Sequence, residues 1–276
     1  MEQLLHNHEI GTLALGLVIA GAVSGLTAGM LGVGGGIVVV PILYHVLGLI
    51  GVGADLRMHL AVGTSLATII PTAFASVRAH DKKGAVDWPL LRRWWIAMLL
   101  GVAVGSLLAG IARGQTLTIV FAAIAIPVAF HMAFAHEDRR IADRLPEGPA
   151  GQGLPALIGG LSTMMGIGGG TIGVPVMTLF GVPIHRAVGT ASAFGMIISI
   201  PGTIGAIASG WGVAGLPAYS LGYVNLLGFL LIAPVSFFAA PFGAQIAHQM
   251  DRARLRRVFA LLIAVTAGRM LYDALV

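Results

Sequence analysis

Residues 32–41 read GVGGGIVVVP, and residues 166–175 read GIGGGTIGVP. So distinctive a block, met twice in one chain, predicts a duplicated unit, and other matches extend outward from it. Residues 59–65, HLAVGTS, pair with residues 185–191, HRAVGTA. Further on, Gly84-Ala85-Val86-Asp87 pairs with Gly222-Tyr223-Val224-Asn225, and Gly105, Leu117 and Phe121 pair with Gly243, Leu255 and Phe259. The order is the same in both halves, with loop insertions between blocks. The chain therefore divides into a first unit, 1–135, and a second, 153–276. A polar linker, 136–152, joins them and carries Glu137, Asp138, Arg139, Arg140, Asp143, Arg144 and Glu147.

Composition gives the class. Of 276 residues, 57% are hydrophobic and 10% charged, against about 25% charged in a soluble domain. No Asp, Glu, Lys or Arg occurs between Glu9 and Asp55, Arg113 and Glu137, Glu147 and Arg186, or Arg186 and Asp251. Each gap accommodates at least one helix of ~20 apolar residues, the length that crosses a bilayer core. A charge at the centre of such a helix costs ~2.5–3.5 kcal/mol on insertion scales. The expected fold is an all-α polytopic membrane protein with about five helical segments per half. These are 11–31, 37–50, 58–77, 94–112 and 116–135, then 153–166, 170–182, 186–209, 222–247 and 255–273. The N-terminus lacks the basic start and short apolar run of a secretory signal. With no cysteine, disulfides, thiolate metal sites and a Cys nucleophile are excluded. The net charge of +5 sits in short loops, where it sets topology and meets lipid headgroups, so nucleic acid is not an expected partner.

An odd number of crossings per unit turns the second copy upside down. Lys and Arg accumulate on the cytoplasmic side. With the N- and C-termini outside, the inside loops hold Arg78, Lys82, Lys83, Arg92, Arg93, the linker arginines, Arg186 and the run Arg252–Arg257. Only Arg57, Arg113 and Arg269 are left outside, three of the 16 Lys and Arg. Corresponding loops also exchange character: the basic turn 78–93 matches an uncharged turn near 210–221. These features predict inverted-topology repeats in a cytoplasmic (inner) membrane, with the central linker inside.

Three adjacent glycines inside a helix would each cost about 1 kcal/mol relative to alanine. Gly34, Gly35 and Gly36, and likewise Gly168, Gly169 and Gly170, are therefore expected to break their helices. Pro41 and Pro175, a turn further on, each remove a backbone donor and are expected to bend the second half-helix. Segments 153–166 and 170–182 are short for a full crossing, so re-entrant half-helices are the alternative to full spans. Two such tips brought together by inversion would present free N–H groups to an anion near the midplane. Neither tip contains an acidic residue, which disfavours a cation. Close helix packing is the other use of these glycines, and it is the expected one for Gly21, Gly25 and Gly29 and for Gly101 and Gly105. Gly168, Gly170 and Gly173 match G-x-G-x-x-G, but no strand precedes them and no acid follows before Asp251, so the match is accidental.

Thr64, Ser65, Thr190 and Ser192 place hydroxyls beside the start of the third segment of each half, for ligand contact or for helix–helix hydrogen bonds. His59 and His185 hold matching positions and are candidates for a proton relay. His45 and His131 lack a repeat partner. No metal-ligand spacing and no Ser-His-Asp order is present, so neither a metal, a cofactor nor an enzymatic activity is expected.

The paired glycine–proline blocks, the paired AVGT blocks and the G-x-V-[DN] turn resemble the TauE/SafE sulfite exporter family of membrane permeases. The resemblance spans nearly the whole chain. It implies secondary transport of small sulfur-containing or organic anions such as sulfite or sulfonates. By the same resemblance, Gly34–Gly36, Gly168–Gly170, Thr64, Ser65 and Thr190 would line the substrate path. The second copy departs from the first in carrying Ala191 where the first has Ser65. The sequence expectation is an alternating-access permease for a small anion. Its rivals are a passive anion channel and a non-transporting scaffold. A coupling proton or ion, the direction of transport and assembly into a homo-oligomer stay open.

Overall fold

The computed structural model describes residues 2–134, 141–146, 148–247 and, from 260 to 272, all but 262, 263 and 266. The charged residues 137–140, Glu147 and the basic run 252–257 lie outside the described residues, as do Leu255, Phe259 and the side chain of His131. In chain order come α1 (Glu2–Leu31), α2 (Gly36–Leu49), α3 (Ala54–Asp81), α4 (Trp88–Ile111) and α5 (Gly114–Phe134). After the linker, the single turn α6 (Gly148–Gly151) leads into α7 (Gly153–Met165), α8 (Gly170–Leu179) and α9 (Ile184–Ser209). A two-residue hairpin follows, β1 (Ser220–Leu221) with β2 (Val224–Asn225), and then α10 (Leu226–Ile246). The described residues between 260 and 272 are helical.

Helices α1, α3, α4, α9 and α10 each contain a stretch long and apolar enough to cross a membrane. The breaks fall at the glycines. Gly32, Gly34 and Gly35 adopt positive φ, from 67° to 75°, a conformation that ends α1 and sets the start of α2 and that costs glycine nothing. In the second half Gly166, with φ 67°, caps the C-terminus of α7. Helices α7 and α8, of 13 and 10 residues, rise only ~20 and ~15 Å and are half-helices against a core of about 30 Å. Segment 222–247 begins as a helix only at Leu226. Residues 220–225 instead form the hairpin, with Asn225 capping α10 through a side-chain oxygen that accepts from Gly228 N–H at 2.8 Å. Asp87 caps α4 in the same way from Leu90 N–H at 3.0 Å.

The halves interlock rather than pack side by side. Helix α1 lies along α10 and α4 along α7, so the first helix of each half meets the fourth of the other. A Cβ on Gly25 would strike the Ser236 carbonyl, and one on Gly159 the Met98 carbonyl. The Gly105 position abuts the Gly160 carbonyl, and the Gly243 position that of Leu26. In each pair of contacts the partners are equivalent residues with the halves exchanged, the signature of a two-fold axis. Helices α3 and α9, the equivalent third helices, run antiparallel: Gly202 packs on Leu66, and Gly195 on Ile69 and Ala73. A two-fold relating antiparallel spanning helices lies across them, which is the inverted arrangement.

On α4 the face with Ile96, Leu100, Val104, Leu107 and Ile111 is exposed, whereas Trp94, Met98, Gly101, Val102 and Gly105 are buried. From Trp95 to Ile111 the exposed residues of α4 are all apolar, as a lipid-facing stripe must be. A bulky residue at Gly105 would have to displace backbone, and overpacking of this kind costs about 1–3 kcal/mol. Thermal unfolding in detergent should therefore show Gly105→Leu melting several degrees lower, while Leu100→Ala melts close to the parent. Equal effects at the two positions would overturn the assignment of faces.

Candidate functional site

The glycine tips of the two halves meet at the two-fold axis. A Cβ on Gly34 would lie 3.0 Å from the Cα of Gly168, and one on Gly168 would lie 3.0 Å from the Cα of Gly34. Around this contact the arrangement repeats with the halves exchanged: Gly36 faces the Gly166 carbonyl and Gly170 faces the Gly32 carbonyl. Residues 32–41 and 166–171 are buried throughout. The first N–H groups of any helix lack an intrahelical acceptor. At α2, Val38 and Val39 N–H already bond the Gly35 carbonyl, at 3.0 and 3.2 Å, which leaves Gly36 and Ile37 as its unpaired helical donors. In α8 the equivalent first donor belongs to Gly170. Both half-helices thus point their positive ends toward the axis. Pro41 and Pro175 lie within α2 and α8, where each lacks the N–H that would bond the carbonyl one turn back.

Of the six predicted glycines, Gly34, Gly36, Gly168 and Gly170 are brought together, and Ser65 joins them. Its Oγ donates to the Gly166 carbonyl at 2.7 Å. Ala191, the counterpart of Ser65, has no hydroxyl to offer Gly32, so the site is two-fold in backbone but not in side chains. Gly35 packs instead on Ser24 of α1, and Gly169 on Phe194 and Ile198 of α9. Thr64 and Thr190 form a matched pair of cross-links. Thr64 Oγ1 accepts from Asn225 N–H at 2.8 Å, and Thr190 Oγ1 accepts from Asp87 N–H at 2.9 Å. Each ties the body of a third helix, about two to three turns past its start, to the cap of the other half's fourth helix. Ser192 lies elsewhere: its Oγ is 2.9 Å from Ser76 Oγ and also donates to the Val188 carbonyl.

The matching histidines part company. His59 is buried, with Nδ1 2.9 Å from the Asp55 carbonyl and Nε2 3.1 Å from the Ala112 carbonyl. A neutral imidazole has one N–H, so both contacts are hydrogen bonds at once only when both nitrogens carry protons. The Tyr223 ring stacks over it with centroids 4.7 Å apart, and burial pushes the Tyr223 hydroxyl pKa upward, keeping it neutral. The counterpart of Tyr223 is Ala85, which has no ring, and His185 is exposed. His45 is half-buried and stands edge-on to Tyr44. Among the described residues no group of three His, Asp or Glu stands where it could hold a metal ion.

The two ends of the molecule differ. His59, Gly110, Ser209 and Tyr223 line a 20 Å³ cavity at one end, room for a water and little more. At the linker end a cavity of 490 Å³ opens between the starts of α4 and α9, with Asp87, Arg93, Asp143, Arg144 and Arg186 on its walls. Arg186 Nη2 lies 3.2 Å from Asp87 Oδ2, with the arginine side chain 55% exposed. An ion pair this wet contributes about 0–1 kcal/mol.

Sequence reasoning used Asp87 and Asn225 to align the repeats but missed that they cap helices and hold Thr190 and Thr64. The signal was available, since both residues are strong N-caps three positions before a buried turn. His80 was also missed: its Nε2 lies 2.9 Å from the Gly29 carbonyl and closes the end of α3 on α1.

The profile of the sulfite exporter TauE/SafE family matches residues 17–270. A probable membrane transporter protein of Haemophilus influenzae is 34% identical over 261 residues, which is 94% of this chain and 98% of that protein. A probable membrane transporter protein of Methanocaldococcus jannaschii is 26% identical over 90% of this chain and 92% of its own length. The probable membrane transporter protein YunE of Bacillus subtilis is 24% identical, with 94% and 97% covered. No solved structure matches. The duplicated glycine blocks, the spanning helices and these relatives together show that the chain is a multi-pass membrane protein of the sulfite exporter TauE/SafE family, a membrane transporter family.

Proposed function

We propose that this protein is a secondary carrier for a small anion, such as sulfite or a sulfonate, that alternates access around a site between the two glycine tips. The observation that carries the reading is the meeting of Gly34 and Gly168 on the two-fold axis. There two half-helix N-termini converge at a buried point, and neither glycine tip contains a charged residue. Backbone N–H groups and helix dipoles favour an anion at such a point, and half-helices facing a site on the axis of an inverted repeat are a recurring carrier design. In this conformation the tips abut. Admitting an ion means parting them, and because each tip belongs to a different half, parting them moves one half against the other. Ser65 Oγ, at the Gly166 carbonyl, is the side chain placed to contact substrate as the tips separate. Thr64 and Thr190 hold the framework on either side, with Ser192 further from the axis.

The carrier sits in the cytoplasmic membrane, with the 490 Å³ cavity and the linker on the inside and the hairpin at 220–225 outside. Any driving force comes from an ion or proton gradient or from the substrate's own gradient. Of the matched histidines, His59 is the relay candidate enclosed by the framework, with both ring nitrogens facing carbonyl oxygens.

In liposomes the purified protein should exchange labelled sulfite with saturation and with acceleration by unlabelled sulfite on the far side. Conductance at single-channel levels would make it a channel instead. Gly168→Ala, which sets a methyl against Gly34, should lower exchange at least tenfold while the protein still elutes as a single species; unchanged exchange would remove the tips from the path. Orientation can be read on the native chain, which has no cysteine to interfere. A cysteine at Ser220 should react with an impermeant maleimide from outside and one at Lys83 should not, and the reverse result inverts the topology.

A further inference from the structure

We infer that the cavity at the linker end is an anion-binding vestibule in which Arg186 is the receptor group and the Asp87 carboxylate is a displaceable stand-in for the anion. The inference rests on the carrier reading for its purpose but not for its chemistry.

The internal duplication supplies a control. Asp87 and Asn225 are equivalent. Both cap the following helix, and both give their N–H to a threonine of the other half. Asn225 performs every one of these duties without a charge. The negative charge of Asp87 is therefore not needed for the cap or the cross-link, and its recorded use is the contact with Arg186. The equivalent of Arg186 is Leu60, which is fully buried. The charged pair is thus an addition at one end of a framework that closes without it at the other.

Chemistry then points to the ligand. Among the described residues the cavity walls carry Arg93, Arg144 and Arg186 against Asp87 and Asp143, a net charge of one positive, around 490 Å³, space enough for a small oxyanion and its water. A guanidinium binds planar or tetrahedral oxyanions through a fork of N–H donors. Its present partner is a single carboxylate oxygen at 3.2 Å, on a side chain 19% exposed beside an arginine 55% exposed. Such a pair is held loosely, so an incoming sulfonate or sulfite oxygen can replace Asp87 at little cost. The exchange also has a mechanical consequence. Asp87 opens α4 and Arg186 lies in the first turn of α9, so the pair bridges the two halves at the linker end. Replacing the carboxylate with a mobile anion removes that bridge while the Asp87 N–H to Thr190 bond remains.

The test is local and needs no transport. Val182 lines the cavity, and a Val182→Cys variant of the full chain in detergent can be labelled with a neutral maleimide while methanesulfonate is titrated at constant ionic strength with gluconate. Methanesulfonate should slow labelling. Asp87→Asn, which copies Asn225, should move half-protection to lower methanesulfonate by about threefold or more, because the competing carboxylate is gone. Arg186→Gln should move it to higher concentration by about tenfold, the usual effect of losing a charged hydrogen bond, with Arg186→Lys between. Identical half-protection in Asp87→Asn and the parent overturns the stand-in role, and unchanged protection in Arg186→Gln overturns the receptor role. Should Arg186→Gln not fold, Asp87→Asn and Arg186→Lys decide. Protection without sulfite exchange in liposomes would sustain the vestibule and sink the carrier reading; exchange without protection would do the opposite.

Discussion

Everything in this fold depends on backbone-to-backbone approach across a two-fold axis. Lipid tails are as apolar as leucine side chains, so a membrane protein gains little by hiding apolar surface from its solvent and relies on close packing and hydrogen bonds. Here that packing is done by positions without a side chain. Gly25 on Ser236, Gly159 on Met98, Gly105 on Gly160 and Gly243 on Leu26 draw the outer helices together, and Gly34 on Gly168 closes the centre. A Cβ at any of these points would push two helices apart. Such contacts give a use to glycines inside helices that would otherwise each cost about 1 kcal/mol relative to alanine.

The symmetry is carried by the backbone and broken by side chains. Thr64 and Thr190 make the same hydrogen bond, and Asp87 and Asn225 make the same cap. Ser65 against Ala191, Tyr223 against Ala85, and Arg186 against Leu60 are the departures, and each changes chemistry rather than architecture. One gives the Gly166 carbonyl a serine partner that Gly32 lacks. Another buries one histidine of a matched pair and exposes the other. The third places a charged pair beside an open cavity at the linker end. In the proposed carrier, a substrate crossing the membrane travels perpendicular to that axis and meets a symmetric framework with different groups at its two ends.

The glycine triplets serve packing and function through one property. Without Cβ atoms the tips can touch, and in the proposed carrier the same lack of Cβ atoms would open their N–H groups to a ligand as the tips part. The distinction between packing glycines and binding glycines therefore applies to a conformation, not to a residue. Gly35 and Gly169, packed on Ser24 and on Phe194 with Ile198, hold each tip to its own half. Gly34, Gly36, Gly168 and Gly170 face the other half and are the positions that would separate in the proposed carrier.

The sequence by itself determined the membrane class, the duplication, the inversion and the helix breaks. These follow from one-dimensional properties: charge-free length against bilayer thickness, repeated blocks, loop charges and the conformational cost of glycine runs. Most segment limits were legible to within about four residues; α1 and α4 start nine and six residues earlier than expected, a short hairpin occupies 222–225 where a helix was expected, and the start of segment 255–273 lies outside the described residues. Only the tertiary structure decided which helices cross-pack, that Thr64 and Thr190 hold caps across the interface, that His59 is enclosed while His185 is not, and that Asp87 meets Arg186. Those facts depend on which backbone atoms the other half brings near, and no periodicity within one segment encodes its partner in another.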